Sequence, residues 1–173
     1  PDYRQSATRP NYNLWMNIES ATINGFELGT TFDIGEHFDL DFKLEPYFHW
    51  THLIRSTNNV KHEDLANRAK DTVSFGIDFS YEPASFDASI NGVRHGKMRT
   101  KTGTEPWKSV KSAVVFDVNI KKGLYTTEDY GRVNLKVNLK NIFNKTYTRT
   151  TTEEGFDDFM PGRSFYVALE YAF

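Results

Sequence analysis

The last ten residues of the chain, SFYVALEYAF, alternate without interruption. Phe165, Val167, Leu169, Tyr171 and Phe173 fall on one side of an extended backbone, and Ser164, Tyr166, Ala168, Glu170 and Ala172 on the other. A period of two is the signature of a strand with two unlike faces. In VNLKVNLK, Val133, Leu135, Val137 and Leu139 oppose Asn134, Lys136, Asn138 and Lys140. That second face is entirely amide and ammonium, which a dry core cannot accept. Val114, Phe116, Val118 and Ile120 alternate with Val115, Asp117 and Asn119, and Val73, Phe75, Ile77, Phe79 and Tyr81 with Ser74, Gly76, Asp78 and Ser80. Shorter runs at Phe26, Leu28, Phe32 and Ile34, at Leu40, Phe42 and Leu44, and at Phe86, Ala88 and Ile90 add three more. The pattern predicts seven strands, over residues 11–34, 39–55, 71–82, 86–99, 111–122, 131–143 and 162–173. Pro46 lies inside the second and removes a ladder donor, so a bulge or break is expected there. The only sizeable helix-tolerant stretch, Lys61 to Lys70, is short and polar and suits a loop with at most one helical turn.

The connections come in two lengths that alternate strictly. Asp33 to Asp39 and Glu82 to Phe86 are tight turns, and Lys121 to Arg132 is a somewhat longer polar one. Ser56 to Lys70, Thr100 to Lys111 and Asn144 to Pro161 are longer and rich in charge. Such alternation belongs to an up-and-down antiparallel barrel with short periplasmic turns and long extracellular loops. A soluble sandwich or lipocalin-like binding module shares the strand count but turns its apolar faces inward. Aromatic residues near strand ends favour the membrane reading, as interfacial girdles require: Trp15, Phe32, Phe38, Phe48, Trp50, Tyr81, Phe86, Tyr171 and Phe173.

Composition narrows the choice. Aromatics make up 15% of the 173 residues. Lys and Arg number 21 against 23 Asp and Glu, a balance without the basic excess of nucleic-acid binders. There is no cysteine, which excludes disulfides, CxxC zinc sites and thiol nucleophiles. Mean hydropathy is −0.60, and no apolar run approaches the roughly 18 residues of a membrane-spanning helix. That excludes a helical membrane protein and leaves a β-barrel open. The chain opens on Pro1 with no signal peptide, as a processed product or fragment would.

VNLKVNLKNIFNKTY, followed by a loop and PGRSFYVALEYAF, resembles the C-terminal strands of TonB-dependent outer-membrane receptors, with their NLF-(D/N)-K-x-Y and closing PGR-x-(F/Y) motifs. The residues carrying the match are Asn141, Phe143, Tyr147, Pro161, Gly162, Arg163 and Phe173; Ile142 stands where the family usually has Leu. NIESATINGFELGTTFDIGEHFDLDFKL is similar to the family's N-x-x-x-A-x-x-x-G-x-E strand with the turn and rising strand after it. The stretch from Ser56 to Lys111 contributes only its alternation. The resemblance implies a barrel of about 22 strands filled by an N-terminal plug. Seven strands from a periplasmic C-terminus end on the extracellular side, and single-chain bacterial barrels close with an even number. Residues 1–173 then form the last third of the barrel, and the plug, the TonB-contacting segment and about fifteen strands lie outside this sequence.

By that resemblance the protein is an outer-membrane receptor of a Gram-negative bacterium. It transports a scarce ligand, such as a ferric siderophore or similar metal complex, with energy delivered by the TonB complex through the plug. Haem, cobalamin or a saccharide are the other ligands such receptors take. Outer-membrane lipid, lipopolysaccharide and the barrel-assembly machinery, the last through the C-terminal strand, are the other implied partners. No cofactor and no nucleic acid are implied.

No catalytic constellation is evident. No GxSxG or comparable nucleophile context occurs. The five histidines are scattered, and His49 and His52 fall on opposite faces of their strand. In the segment from Arg94 to Lys111, Arg94, Lys97, Arg99, Lys101, Lys108 and Lys111 face the single acid Glu105. Such a loop could form an electropositive funnel for an anionic ligand, with Arg94, Lys97, Arg99 and Lys101 as contacts, or serve lipopolysaccharide phosphates or plain solubility. Glu153, Glu154, Asp157 and Asp158 could supply oxygen ligands to a divalent cation or form an ordinary solvated loop. Gly162 and Arg163 read as structural, and Asn141, which breaks the alternation after Leu139, as a bulge or the exit of its strand.

Overall fold

The computed structural model describes residues 2–5, 13–16, 20–101, 106–127, 131–151 and 157–173. They form the strands β1 (Asp2–Gln5), β2 (Asn13–Met16), β3 (Ala21–Thr31), β4 (Lys43–Asn58), β5 (Glu63–Asp64), β6 (Arg68–Ala69), β7 (Asp71–Tyr81), β8 (Phe86–His95), β9 (Met98–Thr100), β10 (Lys108–Val110), β11 (Ala113–Thr127), β12 (Gly131–Lys140), β13 (Thr148–Thr151), β14 (Asp157–Phe159) and β15 (Ser164–Ala172). One helical turn, α1 (Ile34–His37), is capped by the Asp33 carboxylate, which accepts from the Glu36 N–H at 3.0 Å.

Seven long strands make one antiparallel sheet in the order β15-β12-β11-β8-β7-β4-β3, each beside its neighbour in sequence among these seven. They run from 9 to 16 residues, the length a tilted transmembrane strand needs. The tight connections, through α1, through Glu82–Ala84 and between β11 and β12, gather at one end of the sheet, and the three long ones at the other.

Register settles the faces, because directly opposed residues in an antiparallel pair share a side. One row runs Pro46, Ile77, Ile90, Val118, Leu139 and Phe165, and the next Leu44, Phe79, Ala88, Ile120, Val137 and Val167. The opposite face carries Glu45, Asp78, Ser89, Asn119 and Asn138 in one row, and Lys43, Ser80, Asp87, Lys121 and Lys136 in another. The apolar face is left uncovered: Phe165 is 70% and Leu169 71% exposed, and Ile90, in the middle of the sheet, is still 40% exposed. Among the described residues Val110 and Ala113 are the buried apolar ones. A soluble sandwich would press this face against a second sheet. An outer wall facing hydrocarbon leaves it bare, with the polar face turned to the lumen.

The strands depart from the sequence pattern at their ends. The first predicted strand is divided: β2 pairs with β1 as a sheet of its own, and the long strand begins at Ala21. The stretch 86–99 stops at His95, and Met98–Thr100 joins another sheet. β11 continues past Lys122 to Thr127 because a bulge between Gly123 and Tyr125 resets its register, returning Tyr125 to the side of Val133. Lys61 to Lys70 contains the short strands β5 and β6 rather than a helical turn.

Pro46 causes neither bulge nor break. The Pro46 carbonyl accepts from Phe32 N at 3.1 Å, so its N side also points toward β3, just beyond the last β3–β4 pair, Thr31 with Tyr47. No ladder donor is required there. The irregularity of β4 falls instead between Asn24 and Gly25 of its partner, where β4 carries one extra residue, Ile54.

Gly92 is required by the outer wall. The Phe75 and Phe116 rings close over it edge to face, 5.6 Å between centroids. A Cβ there would lie 2.6 Å from Phe75 and 2.9 Å from Phe116. Gly92→Val is therefore expected to destabilise the barrel of the full-length protein by about 1–3 kcal/mol through overpacking. Lipid-vesicle refolding titrations measure this, and a neutral result would mean that the rings do not stack as described.

Candidate functional site

The long connections meet above the sheet. β5 folds back on the end of β4, Thr57 opposite Asp64 and Asn58 opposite Glu63. The Asn58 side chain accepts from the N–H groups of Val60 at 2.9 Å and Lys61 at 3.1 Å, forming the tip. Residues 65–70 then supply β6, which pairs with β9, and β9 pairs with β10 of the next connection. Two loops that are separate in sequence are thus joined into a three-stranded sheet, further tied by Asn67 N donating to the Arg99 carbonyl at 2.8 Å. The third connection reaches over the sheet as well, where Tyr147 stacks on His95, 5.4 Å between centroids and 13° between planes.

This sheet decides what becomes of the cations. Lys101 Nζ sits 2.9 Å from the Glu63 carboxylate and Arg99 Nη1 3.5 Å from that of Asp64. Both cations also flank Trp107, at 4.7 Å for Arg99 and 5.5 Å for Lys101. The six-to-one excess counted along the segment is therefore partly offset by acids from the neighbouring loop. Sequence reasoning missed Glu63, Asp64 and Trp107 as members of this cluster. Arg68, directly opposite Arg99, shares its face and was missed too.

Arg94 does not belong to the loop at all. It lies in β8, opposite Val73 on one side and Val114 on the other, on the outward apolar face. Its place in the predicted ligand funnel is corrected accordingly, since an outward side chain cannot line the lumen. Lys97 remains in the loop and is exposed. His49 and His52 do fall on opposite faces, His49 inward opposite Ser74 and His52 outward opposite Asp71. Glu153 and Glu154 lie outside the described residues, and Asp157 and Asp158 are described only as backbone of β14. Among the described residues no three His, Asp or Glu side chains are grouped closely enough to hold a metal ion.

Several residues of the terminal motif tie the last loop to the sheet. Asn141 is 4% exposed and adopts φ of 48° just beyond β12. Its side chain accepts from Lys145 N at 2.7 Å and donates to the Lys145 carbonyl at 2.9 Å and the Pro161 carbonyl at 3.1 Å. Its own N–H donates to Asp117 at 2.8 Å. One asparagine thus binds both ends of the last loop to β11. Asn144 Oδ1 accepts from Arg163 N at 2.9 Å and rests against Gly162, where a Cβ would come within 2.8 Å. Phe143 packs edge to face on Phe116, extending the outer aromatic surface. Phe173 follows β15 at its free end and lies 5.8 Å from Tyr171, ring to ring.

Below the loops the inward face is wet and cross-linked by charge. Lys136 meets Glu170 at 2.8 Å and Lys140 meets Asp117 at 3.0 Å. Asn134, 5% exposed, donates to Glu170 at 3.3 Å. The Tyr47 hydroxyl reaches across Gly76 to Asn91 Oδ1 at 2.6 Å. A recess of about 500 Å³ opens on this face, lined by Glu45, Asp78, Asp87, Asn119, Lys121 and Lys136 among others. Such a surface can hydrate and guide a polar solute.

With this geometry the chain is similar to two solved outer-membrane proteins. One is P. aeruginosa FpvA, in a complex with a heterologous pyoverdine and iron (TM-score 0.65, 15% identity, covering 87% of this chain and 19% of that one). The other is the outer membrane transporter YddB from Escherichia coli (TM-score 0.64, 11% identity, 97% and 27%). The fold is that of the wall of an outer-membrane transporter barrel. Residues 1–173 thus span about a fifth to a quarter of the length of the transporters they resemble. No protein-family model and no curated protein sequence matches the chain. The barrel fold expected from the terminal motif is therefore carried by the course of the strands, at identities too low to speak for a ligand.

Proposed function

We propose that this chain is the C-terminal part of the barrel wall of a TonB-dependent receptor in the Gram-negative outer membrane, taking up a ferric siderophore or similar iron complex. The carrying observation is the sheet itself: an apolar outward wall, a polar recessed inward face, and loops joined by hydrogen bonds above it. The likeness to a transporter barrel solved with an iron–pyoverdine complex supports the reading. A plug outside this sequence would supply the contact with TonB, and β15, at the edge of the sheet, is the strand for the barrel-assembly machinery to engage. Residues of this chain would contribute the loop side of the ligand pocket through the Arg99, Lys101 and Trp107 cluster and Lys97.

The test is transport by the full-length receptor. Iron-limited cells lacking it should take up ferric siderophore only when it is restored, and only with an active TonB system. Uptake of haem, cobalamin or a saccharide in its place would keep the transport reading and discard the iron complex. No TonB-dependent uptake of any of them would contradict the proposal.

The loop cluster makes a kinetic prediction. Replacing Lys97, Arg99 and Lys101 with Gln leaves Glu63 and Asp64 uncompensated, so the rim turns acidic where it was near neutral or positive. Capture of an anionic complex should slow several-fold, with a flatter salt dependence and a smaller change in dissociation, because exposed charges act over about a Debye length, roughly 8 Å. Stopped-flow binding at two ionic strengths reads this, and an unchanged association rate would remove these side chains from ligand capture.

A further inference from the structure

The sheet that joins the loops has two unlike faces. Met98 stands between Ala69 and Val110, and this side is covered, with Val110 9% and Thr100 1% exposed. Arg99 stands between Arg68 and Ser109 on the open side, one residue out of phase. Lys101 has the phase of Arg99, and both cations approach the Trp107 ring. A small apolar row thus backs an open face that presents Arg68, Arg99 and Lys101.

Two of these three cations already hold an anion. Lys101 Nζ donates to both Glu63 oxygens, at 2.9 and 3.1 Å, and Arg99 Nη1 lies 3.5 Å from the Asp64 carboxylate. The acids sit on β5, paired to the end of β4, whereas the cations ride on β9. The four side chains are between 28% and 54% exposed. Ion pairs this open contribute little, because water screens both partners, so they exchange readily for a better anion. Trp107 gives Arg99 and Lys101 a second contact that does not depend on the acids. Among the described residues no carboxylate lies within ion-pair distance of Arg68. Three cations against two acids leave the face a surplus of positive charge.

We infer that Glu63 and Asp64 are a built-in competitor for an anionic ligand: they occupy Lys101 and Arg99 in the empty receptor, and an incoming complex must displace them to reach the cations. The inference rests on the uptake reading above and deepens it, because it makes the two acids specificity-determining residues. A neutral complex gains nothing by the exchange and leaves both pairs intact. A complex with several clustered negative charges gains at both cations together and meets Arg68 as well. The acids thereby set a threshold of ligand charge below which the cluster stays closed on itself.

The test uses the full-length receptor in detergent and two probes, a triply anionic ferric tris-catecholate and a neutral ferric tris-hydroxamate. Glu63→Gln combined with Asp64→Asn should tighten binding of the tris-catecholate about three- to tenfold, the combined factor of two exposed ion pairs, and leave binding of the tris-hydroxamate unchanged. Asp64→Asn alone frees only Arg99 and should give part of the gain. Removing an ordinary ligand contact or loop tie moves affinity the other way, so equal or weaker binding of the tris-catecholate by both variants would overturn the inference. A second readout needs no iron complex: trinitrobenzenesulfonate, an anionic amine reagent, should label Lys101 several-fold faster in the double variant than in wild type, as read by peptide mass spectrometry. Lys145, exposed in the last loop, should label equally in both. Equal labelling of Lys101 would also overturn the inference. If wild type binds neither iron complex while Lys101 labelling accelerates as expected, the iron-complex reading falls and the hold of the two acids on the cations against other anions stands.

Discussion

Replacing Ile90 with arginine is expected to destabilise the full-length barrel by about 2–4 kcal/mol, while the same change at Ser89 should cost less than about 1 kcal/mol. Ile90 is the middle one of five outward positions in β8, with Ile77 and Val118 directly beside it. Arginine there stands as far from either interface as the wall allows. Ser89 is the next residue along the same strand, opposite Asp78 and Asn119 on the wet face. A new guanidinium there meets water and carboxylates. Unfolding titrations in lipid vesicles measure both, and equal costs at the two positions would mean that the faces do not differ in environment.

The second large effect is expected at Asn141. Asn141→Ala removes three buried side-chain hydrogen bonds and places a β-carbon residue without local compensation in the left-handed region, for a loss of about 3–5 kcal/mol. Asn141→Gly relieves the backbone strain and should recover about 1 kcal/mol of it. Asn141→Asp keeps the acceptor for Lys145 N but sets a buried carboxylate oxygen against the Lys145 and Pro161 carbonyls, and should cost at least as much as Ala. Limited proteolysis of the last loop, between β12 and β15, gives a second readout. If the loop in Asn141→Ala resists protease as in wild type, the asparagine does not hold it.

The large-scale architecture was legible because its cause is local. A strand between water and hydrocarbon must alternate, so Val133 to Lys140 declares both its faces without knowledge of any neighbour. Strand ends were less legible because they depend on partners. Lys121 and Lys122 look like turn residues, yet Lys121 faces the polar side at 4.0 Å from Asp87 and Lys122 bonds to the Ala84 carbonyl. Nothing in their own sequence announces either contact. Pro46 was misjudged for the same reason: the rule against proline in strands concerns a donor that β3, ending at Thr31, no longer needs.

The candidate site was half legible. A cation-rich segment is visible as composition, but its pairing with Glu63 and Asp64 arises from strands β6, β9 and β10, whose association spans about 30 to 40 residues and leaves no periodic trace. Arg94 was counted with the charged segment although it falls inside the strand expected over residues 86–99. The alternation of Ile90, Gly92 and Arg94 could have assigned it to the outer wall had phase been weighed above charge. Asn141 was recognisable as the end of its strand from the broken alternation. Its role as a clamp on Lys145 and Pro161 depends on a fold that sequence spacing does not encode.

The central claim is that odd and even positions of these strands face hydrocarbon and water respectively, or the reverse, strand by strand as register dictates. Residues 1–173 contain no cysteine, so single cysteines can be introduced at consecutive positions from Asp117 to Lys121 in a full-length receptor free of other accessible thiols, spin-labelled and reconstituted in bilayers. Labels at Val118 and Ile120 should collide preferentially with dissolved oxygen, and those at Asp117, Asn119 and Lys121 with a water-soluble nickel chelate. A uniform profile, or oxygen preference at Asn119 and Lys121, would contradict the membrane wall on which the account rests.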